Sequence, residues 1–112
     1  MQTITIAFDI DGTLRNNQVP ESAPVQANER IRALLIALSQ LKNTRIIVWS
    51  GRGQAYATQM AHRLCVQPYV DGYASKNRQP GGSFAPAIRP HLAIDDIQDC
   101  DLGVVNLIVR EK

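Results

Sequence analysis

Three short apolar runs constrain this chain more than any other feature. Residues Thr3 to Phe8, Arg45 to Trp49 and His91 to Ile94 are rich in apolar and β-branched side chains, and each stops at a polar cluster. The clusters are Asp9-Ile10-Asp11, Ser50-Gly51-Arg52 and Asp95-Asp96. Near-continuous apolar runs of this length read as strands covered on both faces, whereas a half-exposed strand alternates. Between the first two runs, from about Val25 to Leu41, the positions Ile31, Leu34, Leu35, Leu38 and Leu41 recur at helical spacing. Glu29, Arg30, Arg32 and Gln40 fall on the other face of that helix. A second helix is predicted from about Gln54 to Leu64, burying Ala57, Met60, Ala61 and Leu64. Tyr69 to Ala74 is a short extended piece, and Val104 to Val109 supplies the last strand. Trp49, inside a strand, reads as core.

Strands alternating with helices, then two closing strands, indicate a mainly parallel sheet covered by helices, a Rossmann-like three-layer α/β fold. Right-handed crossovers put the first strand near the sheet centre. In such sheets ligands bind beyond the carboxyl ends of the strands. The three polar clusters all fall at such ends, so they are expected to converge. Asn16 to Pro24 carries two prolines, and Gln79 to Pro90 carries three prolines and two adjacent glycines, so both read as loops. At 112 residues the chain is expected to form one domain, 1–112, large enough to bury a real core.

Composition narrows the function classes. A net charge of +2 neither requires nor excludes an anionic partner, because a nucleic-acid footprint depends on clustered charge. Cys65 and Cys100 have no disulfide-framework pattern and read as free thiols of a reducing compartment. The N-terminus runs straight into strand-like residues with no leader pattern, and the apolar runs are too short to span a bilayer, so a cytoplasmic location is expected. His62 and His91 lack metal-ligand spacing to each other or to the cysteines, which argues against zinc. Neither a nucleophile elbow nor a Walker-type glycine loop is present.

The clusters themselves carry chemistry. Asp9 leaves a buried strand, and Asp11 follows two positions later, with Gly12 permitting a tight turn and Thr13 able to bond the backbone. Carboxylates this close raise each other's pKa unless a cation or hydrogen bonds intervene. Asp95 and Asp96 leave another strand at the same edge, making four carboxylates on one rim. Hard oxygen ligands of this kind favour Mg²⁺. Ser50 and Gly51 lie where a strand turns into a helix, where a hydroxyl and free N–H groups form an anion site. Lys76 lies in a polar loop, where a lysine is ordinarily solvated.

Taken together, these residues resemble the haloacid dehalogenase-like superfamily in its phosphatase branch. Phe8-Asp9-Ile10-Asp11-Gly12-Thr13-Leu14 is similar to its first motif, Val48-Trp49-Ser50-Gly51-Arg52 to the second, Lys76 to the third and Ile94-Asp95-Asp96 to the fourth. The resemblance implies that Asp9 attacks phosphorus, Asp11 moves the proton and Lys76 offsets negative charge. It further implies that Gly12, Thr13, Ser50, Gly51 and Arg52 hold phosphoryl oxygens. Mg²⁺ would be held by Asp9, the main-chain carbonyl of Asp11 and Asp96, with Asp95 as a supporting or alternate ligand. A further carboxylate often follows in the family; Asp99 and Asp101 lie near that position, and Asp101 fits the spacing better. The carboxylate at Asp11 is generally absent from dehalogenase members, so its presence favours phosphate chemistry. The alternative of another class is a non-catalytic domain that binds metal or phosphate to regulate a partner, whose degenerate relatives typically lack Asp9 or Asp11.

Between Leu14 and the first helix there is room only for a short flap, and between Ser50 and Lys76 one helix and one strand use up the chain. The resemblance therefore implies a capless member, whose open site suits a bulky substrate or a homo-oligomer that covers it. The segments Ile46 to Arg52 and Leu92 to Asp96 are also similar to the phosphatase halves of polynucleotide kinase-phosphatases, which raises nucleic-acid 3′-phosphate ends as a substrate class. Arg15, Arg52, Arg78 and Arg89 could line an approach for a polyanion or be ordinary surface charge.

Overall fold

A computed structural model describes residues 2–17, 20, 22–97 and 101–110. In chain order it contains β1 (Ile4–Asp9), α1 (Glu29–Ser39), β2 (Thr44–Ser50), α2 (Gln54–Arg63), a 3₁₀ turn (Gln67–Tyr69), β3 (Gly72–Ser75), β4 (Leu92–Asp95) and β5 (Val105–Ile108). The strands form one five-stranded sheet in the order β3-β2-β1-β4-β5, and every neighbouring pair is parallel. β1 is central, as right-handed crossovers require.

The crossover rule also explains the layers. The chain steps from β1 to β2 to β3 in one direction, which puts α1 and α2 on the same face. It then returns past β1 to β4 and β5, so the return connections lie on the opposite face. Because side chains alternate along a strand, each face has its own residue set. Ile6, Phe8, Ile46, Val48 and Ile94 meet Ile31 and Leu35 of α1 and Ala57, Met60 and Ala61 of α2. Ala7, Ile47, Trp49 and Ala93 face the other way, against Phe84 and Leu102 from the return connections. The third layer is thus irregular chain, and Trp49 is fully enclosed beneath it. Enclosing each large apolar side chain stabilises the fold by about 1.5–3 kcal/mol.

Three element boundaries differ from the sequence reading by more than one residue. The first helix starts at Glu29, because the segment before it is extended. Asn16 donates its N–H to the Gln26 carbonyl at 2.8 Å, and Asn28 donates to the Leu14 carbonyl at 2.8 Å, with an antiparallel bridge between Arg15 and Ala27. This pairing is the expected short flap, and it consumes the residues that precede the helix. The helix ends at Ser39, which leaves Leu41 exposed. The third strand begins at Gly72, since Gln67–Tyr69 form a 3₁₀ turn and Asp71 is tied to Ile46 through both its N–H and its carboxylate, each at 2.8 Å.

Among the described residues, no helix is long and apolar enough to cross a membrane. β5 is an edge strand, and its Val105, Leu107 and Ile108 are exposed. Cys65 is a free, exposed thiol; Cys100 and Asp99 lie outside the described residues.

Candidate active site

Strand register assembles the site. Phe8 is level with Ile94, so the next residues, Asp9 and Asp95, leave the sheet side by side. Ser50 is level with Ser75, so Lys76 emerges one position later, beside Gly51. By alternation Asp9, Asp95 and Lys76 all continue the face that carries Ala7, Ala93 and Ala74. Those small side chains leave room for the charged ones beyond them. The lysine that the sequence placed in a polar loop is therefore almost wholly enclosed.

Lys76 Nζ donates to Asp9 Oδ1 and to Asp95 Oδ2, both at 2.6 Å. The other oxygen of Asp9 accepts from Thr13 Oγ1 at 3.1 Å. Asp95 Oδ1 accepts the N–H groups of Asp96 and Ile97 at 2.8 and 3.2 Å, which locks its carboxylate in place. The Phe84 ring lies 5.1 Å from Lys76 Nζ, so the loop between β3 and β4 closes this face. A Cβ at Gly51 would stand 2.9 Å from the same ring.

Asp96 completes an acidic group. Asp9, Asp95 and Asp96 can each offer a carboxylate oxygen within 4.8 Å of the others. The carboxylate of Asp96 packs against Gly12, where an added Cβ would clash with its Oδ2. Gly12 also has φ +83°, a region that favours glycine. The Asp-Gly pair thus admits the turn and the neighbouring carboxylate together.

The electrostatics are unbalanced, with three carboxylates sharing one ammonium. Burial pushes Asp9 up to about 8; Asp95 and Asp96 add to the rise and Lys76 opposes it. Burial also raises Asp96, with Asp95 contributing. For Lys76 burial acts to lower the value, but Asp9 and Asp95 outweigh it and the ammonium is held. Excess negative charge among hard oxygen donors is what a divalent cation neutralises, so this donor set could hold a hard divalent cation.

Asp11 turns elsewhere. Its carboxylate accepts from the Tyr56 hydroxyl at 2.7 Å and lies 3.5 Å from Arg15 and 3.6 Å from Arg52. It is not a member of the acidic group. The Arg52 guanidinium lies 4.0 Å from the Tyr56 ring centre, and the main-chain N–H of Arg52 donates to Ser50 Oγ at 3.0 Å. Burial, and then the bond to Asp11, push Tyr56 up to about 12.

Of the four arginines singled out in the sequence, Arg15 and Arg52 meet at Asp11. Arg89 instead pairs with Asp101 at 3.1 Å, which turns Asp101 away from the acidic group. Tyr56, Arg63 and Phe84 were not signalled by any motif. The first two lie seven residues apart along α2 with Met60 between them, on one stripe of the helix, and Tyr56 is four residues after Arg52.

No family model matches the sequence, and no curated protein sequence matches it. One solved structure, of a Pnkp1/Rnl/Hen1 complex, is similar in fold with a TM-score of 0.58. Identity is 18%, and the match covers 96% of this chain and 46% of that one. The chain therefore spans less than half the length of its structural neighbour. Fold and site together define a parallel α/β domain with an acidic, lysine-bridged rim at the carboxyl ends of its central strands.

Proposed function

We propose that this protein is a Mg²⁺-dependent phosphomonoesterase of the haloacid dehalogenase-like type, with Asp9 as nucleophile. The observation that carries the reading is the group of three carboxylates at the ends of β1 and β4, served by the single enclosed ammonium of Lys76. A purely structural ion pair needs one carboxylate per lysine; a third acid here makes the site a receptor for positive charge. Asp9, Asp96 and the main-chain carbonyl of Asp11, with Asp95 in support, would hold the cation, which would supply charge neutralisation for the transferring phosphoryl group.

The chain's own residues account for the chemistry. Lys76 and Thr13 fix the Asp9 carboxylate, so one oxygen can attack phosphorus in line as the ester P–O bond breaks. Asp11, half open at the rim, gives its proton to the departing alkoxide. Water then attacks the phosphorus of the Asp9 acyl-phosphate, and its proton passes to Asp11. The P–O bond to Asp9 breaks, returning the carboxylate and releasing inorganic phosphate. The N–H groups of Gly12, Thr13 and Arg52 already donate to the Arg15 carbonyl, the Ile10 carbonyl and Ser50 Oγ. The Gly51 N–H and the Ser50 hydroxyl are therefore the donors we assign to phosphoryl oxygens, with the others joining only if the loops adjust.

A second reading, a polynucleotide 3′-phosphatase, is favoured by the fold likeness to a Pnkp1-containing complex. Phosphate release from a phosphomonoester panel with Mg²⁺, with Asp9→Asn as control, tests the first reading; activity equal in both proteins rejects it. A 3′-phosphorylated oligonucleotide that is no better than a sugar phosphate rejects the second.

A further inference from the structure

Beside Asp11 lies a cleft of about 180 Å³ that none of the roles above requires. Arg15, Arg52 and Arg63 ring it, Tyr56 forms one wall, and Ala23, Val25 and Met60 provide apolar lining. We infer that this cleft is the seat for a second anionic group carried on the leaving-group side of the substrate. The inference rests on the phosphatase reading, because Asp11 marks the leaving-group side by virtue of its proton transfer.

Four observations support it. First, the cleft is continuous with Asp11, since three of its lining residues, Tyr56, Arg15 and Arg52, touch that carboxylate. Second, its charge is unbalanced in the opposite sense to the acidic group. Three guanidiniums face one carboxylate, and among the described residues Arg63 has no ion-pair partner. Third, the Arg15 and Arg52 contacts to Asp11 are long for charge-assisted hydrogen bonds, which close to about 2.7–2.9 Å. A stronger acceptor such as a phosphate can draw both guanidiniums off Asp11 and free it to carry its proton. Fourth, the four groups come from three separate segments: the flap (Arg15), the turn after β2 (Arg52) and α2 (Tyr56 and Arg63). A helix-surface charge run would come from one.

One face of the Tyr56 ring is already covered by Arg52, and the three guanidiniums make positive charge the cleft's main offering. The substrate class is therefore a phosphomonoester whose alcohol bears another phosphate or phosphodiester a few bonds away. Nucleotide ends and sugar bisphosphates share that chemistry.

The test compares kcat/KM for a nucleoside 3′-phosphate against the 3′,5′-bisphosphate, and for fructose 6-phosphate against fructose 1,6-bisphosphate. It is run on wild type, Arg63→Ala and Arg15→Ala, with Arg30→Ala as an exposed-arginine control. The expected result is a preference of about tenfold or more for the second anion. That preference should collapse in Arg63→Ala and Arg15→Ala and persist in Arg30→Ala. Preference in the nucleotide pair alone assigns the anion to a nucleotide, and preference in the fructose pair alone assigns it to a sugar. Equal rates within both pairs, or a preference untouched by Arg63→Ala, overturns the inference. Equilibrium binding of the same four compounds to Asp9→Asn protein decides the cleft independently of turnover. If wild type hydrolyses nothing, the phosphatase reading fails; tighter binding of the bisphosphates that Arg63→Ala abolishes still upholds the anion seat, and equal binding removes it.

Discussion

Asp9 and Asp11 are two residues apart in sequence, yet their carboxylates enter opposite environments. Asp9 lies on the loop-covered face, locked to Lys76 at 2.6 Å in a pocket that solvent barely reaches. Asp11 turns toward α2 and meets two guanidiniums at 3.5 and 3.6 Å in a half-open cleft. Acid and base residues face each other in both places, but the inner set is fixed and the outer set exchangeable. A nucleophile needs one geometry held throughout the reaction, whereas a proton carrier must change partners as the leaving group departs. The split between the two sides follows from a strand that ends at Asp9 and a turn, made possible by Gly12, that carries Asp11 to the other side.

The comparison can be broken at its inner side first. Lys76→Met leaves two enclosed carboxylates without their cation, and the fold should lose about 3–5 kcal/mol once the pH exceeds the raised Asp9 value of about 8. Urea unfolding checks this, and the loss should shrink as pH falls and the carboxyls protonate. An unfolding midpoint within error of wild type would mean that the lysine is not structurally coupled to the acids.

A pH series sharpens the same contrast. Asp9 is raised from 3.8 to about 8, so the folded state holds a proton that the unfolded chain releases. Its contribution is fully present below about pH 4 and is lost as pH rises toward 8. Cation-free protein should therefore weaken across that window, Asp9→Asn should flatten the slope, and Mg²⁺ should restore stability at the alkaline end. A wild-type slope unchanged in Asp9→Asn would contradict the assignment.

Gly12→Ala puts a methyl group into the Asp96 carboxylate at a positive φ. The expected cost is about 1–3 kcal/mol, with weaker Mg²⁺ binding by calorimetry because Asp96 must move. The outer side should respond least. Tyr56→Phe removes one half-exposed hydrogen bond, and stability should fall by about 0.5–1.5 kcal/mol, measured by thermal unfolding. A loss as large as that of Lys76→Met would erase the distinction between the two sides.

Much of this was legible in the sequence, for reasons that particular residues show. The apolar runs ending at Asp9, Ser50 and Asp95 announced buried strands, and the convergence of their ends follows from parallel packing alone. Trp49 was readable as core because its strand neighbours are apolar on both sides. Lys76 was less readable, since its burial depends on partners 67 and 19 residues away and its own neighbours are polar. The start of α1 was misjudged because helical spacing from Val25 onward does not reveal that residues 26–28 pair with the flap. Tyr56 and Arg63 looked like ordinary helix surface; only the fold shows that their stripe faces Asp11.

The central claim is that Asp9 carries the phosphoryl group. Acid quenching during turnover of a phosphomonoester with Mg²⁺, followed by peptide mass analysis, tests it most directly. The account predicts a single phosphoryl adduct on the peptide containing Asp9, absent in Asp9→Asn protein, which also releases no phosphate. Phosphate release with no adduct at Asp9, persisting in Asp9→Asn, would contradict it.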